Sequence, residues 1–220
     1  MAYIDFVETV HKSTKRNYLE RVINYDKKEC VKIAKKFDYD FFDGERKYGY
    51  GGYHYDGRWQ RTAENMINYY KLKSGDKILD IGCGKGFLLY EFKRLLPELE
   101  VIGIDISTYA VEHAKAEVKD FIKIGQAEKL EFPDNSFDLV ISLATIHNLP
   151  IFQLKKAVQE IMRVSKGKSY IMTDSYRNDD EKINLLYWQL TCESFFSTTE
   201  WEWLYKQWGY QGDYSFIFFE

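Results

Sequence analysis

The run Ile78-Leu79-Asp80-Ile81-Gly82-Cys83-Gly84-Lys85-Gly86 sets a carboxylate two residues ahead of three alternating glycines. Glycines permit a tight turn and let backbone approach a ligand closely. Such a turn alone suits nicotinamide, flavin and nucleotide sites equally. A phosphate-cradling Walker loop is excluded, because no GK[ST] follows at the required spacing. Asp80 separates the remaining choices. Beside the turn it would repel a pyrophosphate, and the glycines read GxGxG rather than the GxGxxG of dinucleotide folds. The same carboxylate is favourable next to a cationic amino-acid head group.

A ligand without phosphate and with a positively charged methionine end is S-adenosylmethionine, which becomes the expected cofactor. Asp105 follows 25 residues after Asp80, where folds of this kind use a carboxylate to accept ribose hydroxyls. Its other reading is a helix N-cap, although Ser107 or Thr108 can fill that role. His147 is the one histidine near the expected reaction centre. It reads as a general base for a hydroxyl or as a residue that binds substrate or caps the turn before Pro150. The segment from Arg46 to Trp59 holds tyrosines 48, 50, 53 and 55 among glycines, flanked by Arg46 and Arg58. It reads as a lid over an anionic or polyhydroxy guest, or as an aromatic loop packed on the sheet edge.

These residues need a scaffold. The 220 residues fit one domain, divided into residues 1–76 (helices and the aromatic loop) and 77–220 (the core). Hydrophobic residues at 45% with 17% aromatics describe a folded chain. No apolar run is long enough for a membrane helix, and Asp5, Glu8, His11 and Lys12 break any signal-peptide pattern. A net charge of −3 argues against nucleic acid as partner. Three separated cysteines suit a reducing cytoplasm, and the four histidines lack metal-site spacing. From Lys77, strands alternate with helices. Strands are expected at Lys77–Ile81, Val101–Ile106, Phe121–Ile124, Phe137–Leu143, Ser169–Thr173 and Tyr214–Phe219. Helices are expected at Thr62–Leu72, Phe87–Leu96, Tyr109–Lys119, Phe152–Val164, Ile183–Glu193 and Thr199–Trp208. This is a doubly wound, mostly parallel α/β sheet with an N-terminal helical extension. The C-terminal aromatics, Trp201, Trp203, Trp208, Phe216, Phe218 and Phe219, read as core in preference to a subunit contact.

With these motifs in order, the chain resembles a class I S-adenosylmethionine-dependent methyltransferase of the small Rossmann-like type, from about Gly75 to Thr173. Ile78–Gly86 resembles the first motif, which implies that Asp80, Gly82, Cys83, Gly84 and Gly86 hold the methionine part. VIGIDIS at Val101–Ser107 implies Asp105 on the ribose and Ile106 against the adenine. Gly125-Gln126-Ala127-Glu128 resembles the adenine-edge segment, with Gln126 where the family often has aspartate. FDLVISLATIHNL at Phe137–Leu149 resembles the fourth-strand motif and brings in Ser142. It departs from the [DNS]PP[YF] of nucleobase amino methylation. The family commonly ends in two strands, whereas one is clear here, so six or seven strands are expected, the seventh near Ser194–Phe196. The resemblance implies methyl transfer to a small-molecule acceptor, most readily at oxygen. His147, Tyr50 and Tyr53 would then be catalytic, and Arg46, Tyr48, Tyr55 and Arg58 would bind the acceptor. The loop alone also resembles bacterial methyltransferases of surface-polysaccharide pathways. The alternatives are an RNA or protein methyltransferase using the basic stretch Lys27–Lys36, and a non-catalytic cofactor-binding protein. Monomer and homodimer both remain open.

Overall fold

In the computed structural model, which describes residues 1–12 and 16–220, short capped helices lead into the sheet. They are α1 (Glu8–Lys12), α2 (Tyr18–Ile23), α3 (Lys27–Ala34), α4 (Tyr39–Phe42) and α5 (Gln60–Tyr70). Asp26 caps α3 by accepting the Lys28 and Glu29 N–H groups, and Asp38 caps α4 through Tyr39 N–H. The core then alternates through β1 (Lys77–Ile81), α6 (Phe87–Leu95), β2 (Glu100–Asp105), α7 (Thr108–Glu112), β3 (Ile122–Ile124) and β4 (Leu139–Leu143). It continues with α8 (Ile151–Val164), β5 (Ser169–Asp174), α9 (Asp179–Trp188), α10 (Thr198–Trp208) and β6 (Asp213–Ile217).

The six strands are all parallel, in the order β3-β2-β1-β4-β5-β6. Their apolar runs are buried on both faces, as a parallel sheet flanked by helices requires. One core packs α8 and α10 on one face; the other packs α5 and α6 on the opposite face. Of the six or seven strands expected, six form among the described residues, and 194–196 is not a strand. Ser194 instead docks on the turn after β4: its N–H and that of Glu193 both bond His147 O (3.0 Å), and its hydroxyl donates to Leu149 O (2.7 Å). β6 therefore lies directly beside β5. Its outer edge is covered by the N-terminus, with Tyr214 N–H on Ala2 O (3.0 Å) and Ile4 N–H on Tyr214 O (2.9 Å).

Other boundaries moved for local reasons. The helix expected over 109–119 ends at Glu112, because the chain turns back so that Lys115 N–H reaches Lys85 O (2.9 Å). β4 starts at Leu139 rather than Phe137, which makes only an isolated bridge to Ser165. α9 starts early, where Asn178 caps a first turn holding Asp179, Asp180 and Glu181, and ends at Trp188. Trp201, Phe216 and Phe219 are core, while Trp203 is exposed. Among the described residues no helix is long and apolar enough to cross a membrane.

Candidate active site

The carboxyl ends of β1 and β4 meet where the strand order reverses, the usual ligand crevice of an open parallel sheet. A cavity of ≈ 190 Å³ opens there. Asp80, Gly82, Cys83 and Gly84 line it from the turn after β1, Asp105 and Ile106 from the end of β2, and Gln126, Ala127 and Glu128 from the segment after β3. Gly82 has φ +77°, and a Cβ there would stand 2.0 Å from Thr145 Oγ1, so glycine is required for both reasons. Gly86 and Ser142, expected at the cofactor, line neither of the cavities described here. Gly86 begins α6 facing Ile122, whose Cδ1 would be 2.5 Å from an added Cβ, and Ser142 is buried within β4.

Charge in this cavity is one-sided. Its lining carries Asp80, Asp105 and Glu128 and no lysine, arginine or histidine. Asp105 accepts the N–H groups of Gly84 (2.7 Å) and Ser107 (2.8 Å), while burial pushes its carboxyl upward. Ser107, not Asp105, caps α7 by accepting Ala110 N–H (2.9 Å). Asp80 is buried, and among the described residues no donor is bonded to its carboxylate. Burial, and then the charge of Asp105, push it up to about 8. A buried acid with no donor, beside a second acid, fits a cationic ligand. S-adenosylmethionine, with a cationic sulfonium and ammonium, fits that requirement.

A second cavity of ≈ 450 Å³ adjoins the first, and Phe41, Tyr50, Tyr53, Trp59, Ala144, Asn148 and Met172 line both. The aromatic loop forms the partition. Tyr50 and Tyr53 rings lie 4.5 Å apart, and Tyr53 stacks on Phe87 at 4.8 Å. The loop is pinned to the core, because Asp43 accepts Tyr53 N–H (3.0 Å), the Lys85 ammonium (2.5 Å) and the Tyr109 hydroxyl (2.7 Å). Desolvation pushes the Tyr50 phenol up to about 12 and raises the Tyr53 phenol as well, so both are hydrogen-bond donors at neutral pH.

His147 also faces this second cavity and is 2% exposed. Its Nδ1 accepts the Asp174 N–H (3.1 Å), and its Nε2 stands 3.6 Å from Asp174 Oδ2, which places the ring proton on Nε2. Burial lowers its pKa, opposed by Asp174. Arg46 and Arg58 line the cavity, but Arg58 is paired to Asp56 (2.5 Å). Tyr48 and Tyr55 line neither cavity. Tyr48 packs on the small cluster of Cys30, Ala34 and Leu190, and the Tyr55 hydroxyl donates to Glu91 (2.5 Å).

Sequence reading missed three kinds of residue. Asn148 lines both cavities. Its Nδ2 donates to Ala144 O (3.3 Å), while its buried Oδ1 has no partner. Ala144, at φ +51°, carries the turn that presents it. Arg16, Arg21 and Trp188 come from segments without a motif. Only the unusual arginine density of residues 16–21 hinted at them.

The model of a methyltransferase domain family matches residues 72–211. The chain belongs to this methyltransferase family. S-adenosyl-L-methionine is the cofactor of such a domain, as the acidic cradle requires. The chain is 31% identical over 145 residues to a demethylmenaquinone methyltransferase of Symbiobacterium thermophilum, covering 60% of this chain and 57% of that one. It is 34% identical over 143 residues to a sterol 24-C-methyltransferase of Gibberella zeae, covering 59% and 37%. The YcgJ protein of Bacillus subtilis superposes with a TM-score of 0.56 at 27% identity, covering 66% of each chain. The chain spans about half the length of the curated relatives it matches. The methyltransferase sheet is shared, and the acceptor side is where this chain must be read on its own residues.

Proposed function

We propose that this protein transfers a methyl group from S-adenosylmethionine to an oxygen of a small anionic or polyhydroxy metabolite. The observation that carries the reading is the pairing of an acidic cofactor cavity with a larger basic one across Tyr50 and Tyr53. The basic cavity is lined by Arg16, Arg21, Arg46 and Arg58 and by His11, His54 and His147, with no carboxylate among its lining residues. The quinone and sterol named for the two relatives are not acceptors that such a lining would select. Three free, buried thiols accord with a cytoplasmic enzyme.

When bound, the cofactor supplies an electrophilic methyl on a cationic sulfur. The chain must then align a nucleophile and exclude water. Asn148 Oδ1, buried without a partner where the cavities meet, accepts a hydrogen bond from the acceptor hydroxyl and orients it; as the oxygen takes the methyl and the bond to sulfur breaks, the hydroxyl proton leaves to solvent. Tyr50 and Tyr53 donate to neighbouring oxygens. His147 has one ring nitrogen bonded to backbone and the other turned to Asp174, so its role here is to position the Ile146–Asn148 turn and contact the acceptor.

Incubation with methyl-deuterated cofactor and a filtered metabolite extract, read by mass spectrometry, tests this. A labelled small polar metabolite with an acid-stable O-methyl group is the expected result. Label confined to RNA or protein fractions, or no label despite cofactor binding, would overturn it.

A further inference from the structure

The second cavity contains an arrangement that the methyl-transfer chemistry does not use. Three guanidinium groups surround the half-buried ring of Trp188: Arg21 at 4.5 Å, Arg46 at 5.0 Å and Arg16 at 5.6 Å from its centroid. Arg21 is 8% exposed, its Nε is buried without a partner among the described residues, and its Nη1 makes a long hydrogen bond to Arg46 O (3.4 Å). Among the described residues, Arg46 donates to backbone alone, at Gly49 O (2.8 Å) and Tyr50 O (3.0 Å). Among the described residues no carboxylate forms an ion pair with Arg21 or Arg46, although salt bridges are formed by Arg58, Arg94, Arg163 and Arg177 elsewhere. Burying a guanidinium without a counter-charge is costly, and gathering like charges around one ring adds repulsion. The effect is visible in Arg21, whose pKa is pulled down to about 10 by burial and then by Arg46.

The aromatic ring offsets part of that cost through cation–π contact and holds the guanidinium planes in place. What remains is positive charge facing the cavity that holds the acceptor in the reading above. We infer that Arg21 and Arg46, stacked on Trp188 with Arg16 beside them, form the anchor for a phosphate monoester carried by the acceptor. A single carboxylate would answer only one of the two charges of Arg21 and Arg46. A phosphate brings up to two charges and three terminal oxygens, which match converging guanidinium forks. The anchor lies in the acceptor cavity and away from the acidic cradle, so it selects the acceptor without touching cofactor binding.

The inference rests on the methyl-transfer reading, and its test keeps the two apart. Cofactor affinity is measured first on the full chain; failure there defeats the reading itself. Isothermal titration then compares glucose 6-phosphate, glucose, inorganic phosphate and acetate as probes. Expected is binding of the sugar phosphate about tenfold or more above glucose and acetate. Arg46→Gln and Arg21→Gln are each expected to lower that affinity about tenfold while leaving cofactor affinity unchanged. Arg46 is exposed, so its variant stays informative if Arg21→Gln fails to fold. Equal affinity for acetate would overturn the phosphate class, and inorganic phosphate binding as tightly as the ester would reduce the site to a free-ion site. Arginine-dependent binding of an RNA oligonucleotide in preference to the sugar phosphate would overturn the small-molecule anchor.

Discussion

The two cavities on either side of Tyr50 and Tyr53 are built in opposite ways. The cofactor side is acidic and assembled from consecutive strand ends: Asp80 and Asp105 stand on neighbouring strands, paired in register Asp80↔Gly103. The side proposed above for the acceptor is basic and assembled from segments far apart in sequence: Arg16, Arg21 of α2, the loop at 46–58, the turn after β4 and the end of α9. The first is built chiefly on strand ends of the sheet, whereas the second draws more than half of its lining from residues ahead of β1.

Removing charge on one side only is the sharpest way to break this division. Asp80→Asn keeps the shape and deletes the negative charge. It is expected to weaken cofactor binding by about 100-fold, near 2.7 kcal/mol, with affinity of the acceptor-side probe unchanged. Titration calorimetry with each ligand checks this, and a parallel loss on both sides would mean that the chambers are not independent.

The same substitution should act in the opposite direction on stability. Asp80 is raised from 3.8 to about 8 in the folded chain, so folding takes up a proton between those values. Its contribution to stability is fully present below pH 4 and is lost as pH rises toward 8. Asp80→Asn removes that loss. Its advantage in unfolding free energy over the parent should grow by up to about 1.4 kcal/mol per pH unit from pH 5 toward pH 8 and then level off. Denaturant unfolding at several pH values is the check. A constant difference across that range would show that Asp80 is ionised throughout.

At the junction, a smaller effect is expected. Asn148→Ala deletes the unpartnered acceptor at the meeting of the chambers. With the acceptor identified, kcat should fall about tenfold, while cofactor affinity stays within twofold. A rise in KM for the acceptor with unchanged kcat would make Asn148 a binding residue and leave alignment to the tyrosines.

The sequence made the two halves legible to different degrees. All six strands could be placed from their apolar runs, and Asp80, Gly82, Cys83, Gly84, Asp105, Ile106 and the 126–128 edge all reach one cavity, because each is fixed to a strand end by local geometry. Tyr48 and Tyr55 failed to join the acceptor wall for a reason that no spacing reveals. The loop is irregular, so a tyrosine's direction is set by distant partners such as Glu91 and Leu190. Asn148, in the run read as the fourth-strand motif, was hidden by His147 beside it, whose chemistry attracts attention although its nitrogens are engaged. Arg21 and Trp188 are 167 positions apart; only the fold brings them together.

Ala144 belongs to both chambers and offers the finest test. It holds φ +51°, a conformation that costs a residue with a Cβ about 1 kcal/mol or more, and its N–H is fixed to Met172 O (3.0 Å). The strain is maintained by the sheet and directs the following turn, including Asn148, toward the partition. Ala144→Gly removes the steric cost but adds backbone freedom to the unfolded chain, and the two nearly cancel. Unfolding free energy is expected to change by less than about 1 kcal/mol. The turn would be less constrained, so kcat should drop about twofold to fivefold while affinity on either side is retained. If activity and stability are both unaltered, the rigidity of the junction resides in the Glu193 and Ser194 contacts to His147 O instead. Ser194→Ala, which deletes the hydroxyl bond to Leu149 O that docks the same segment on the turn, should then produce the loss in kcat that Ala144→Gly did not.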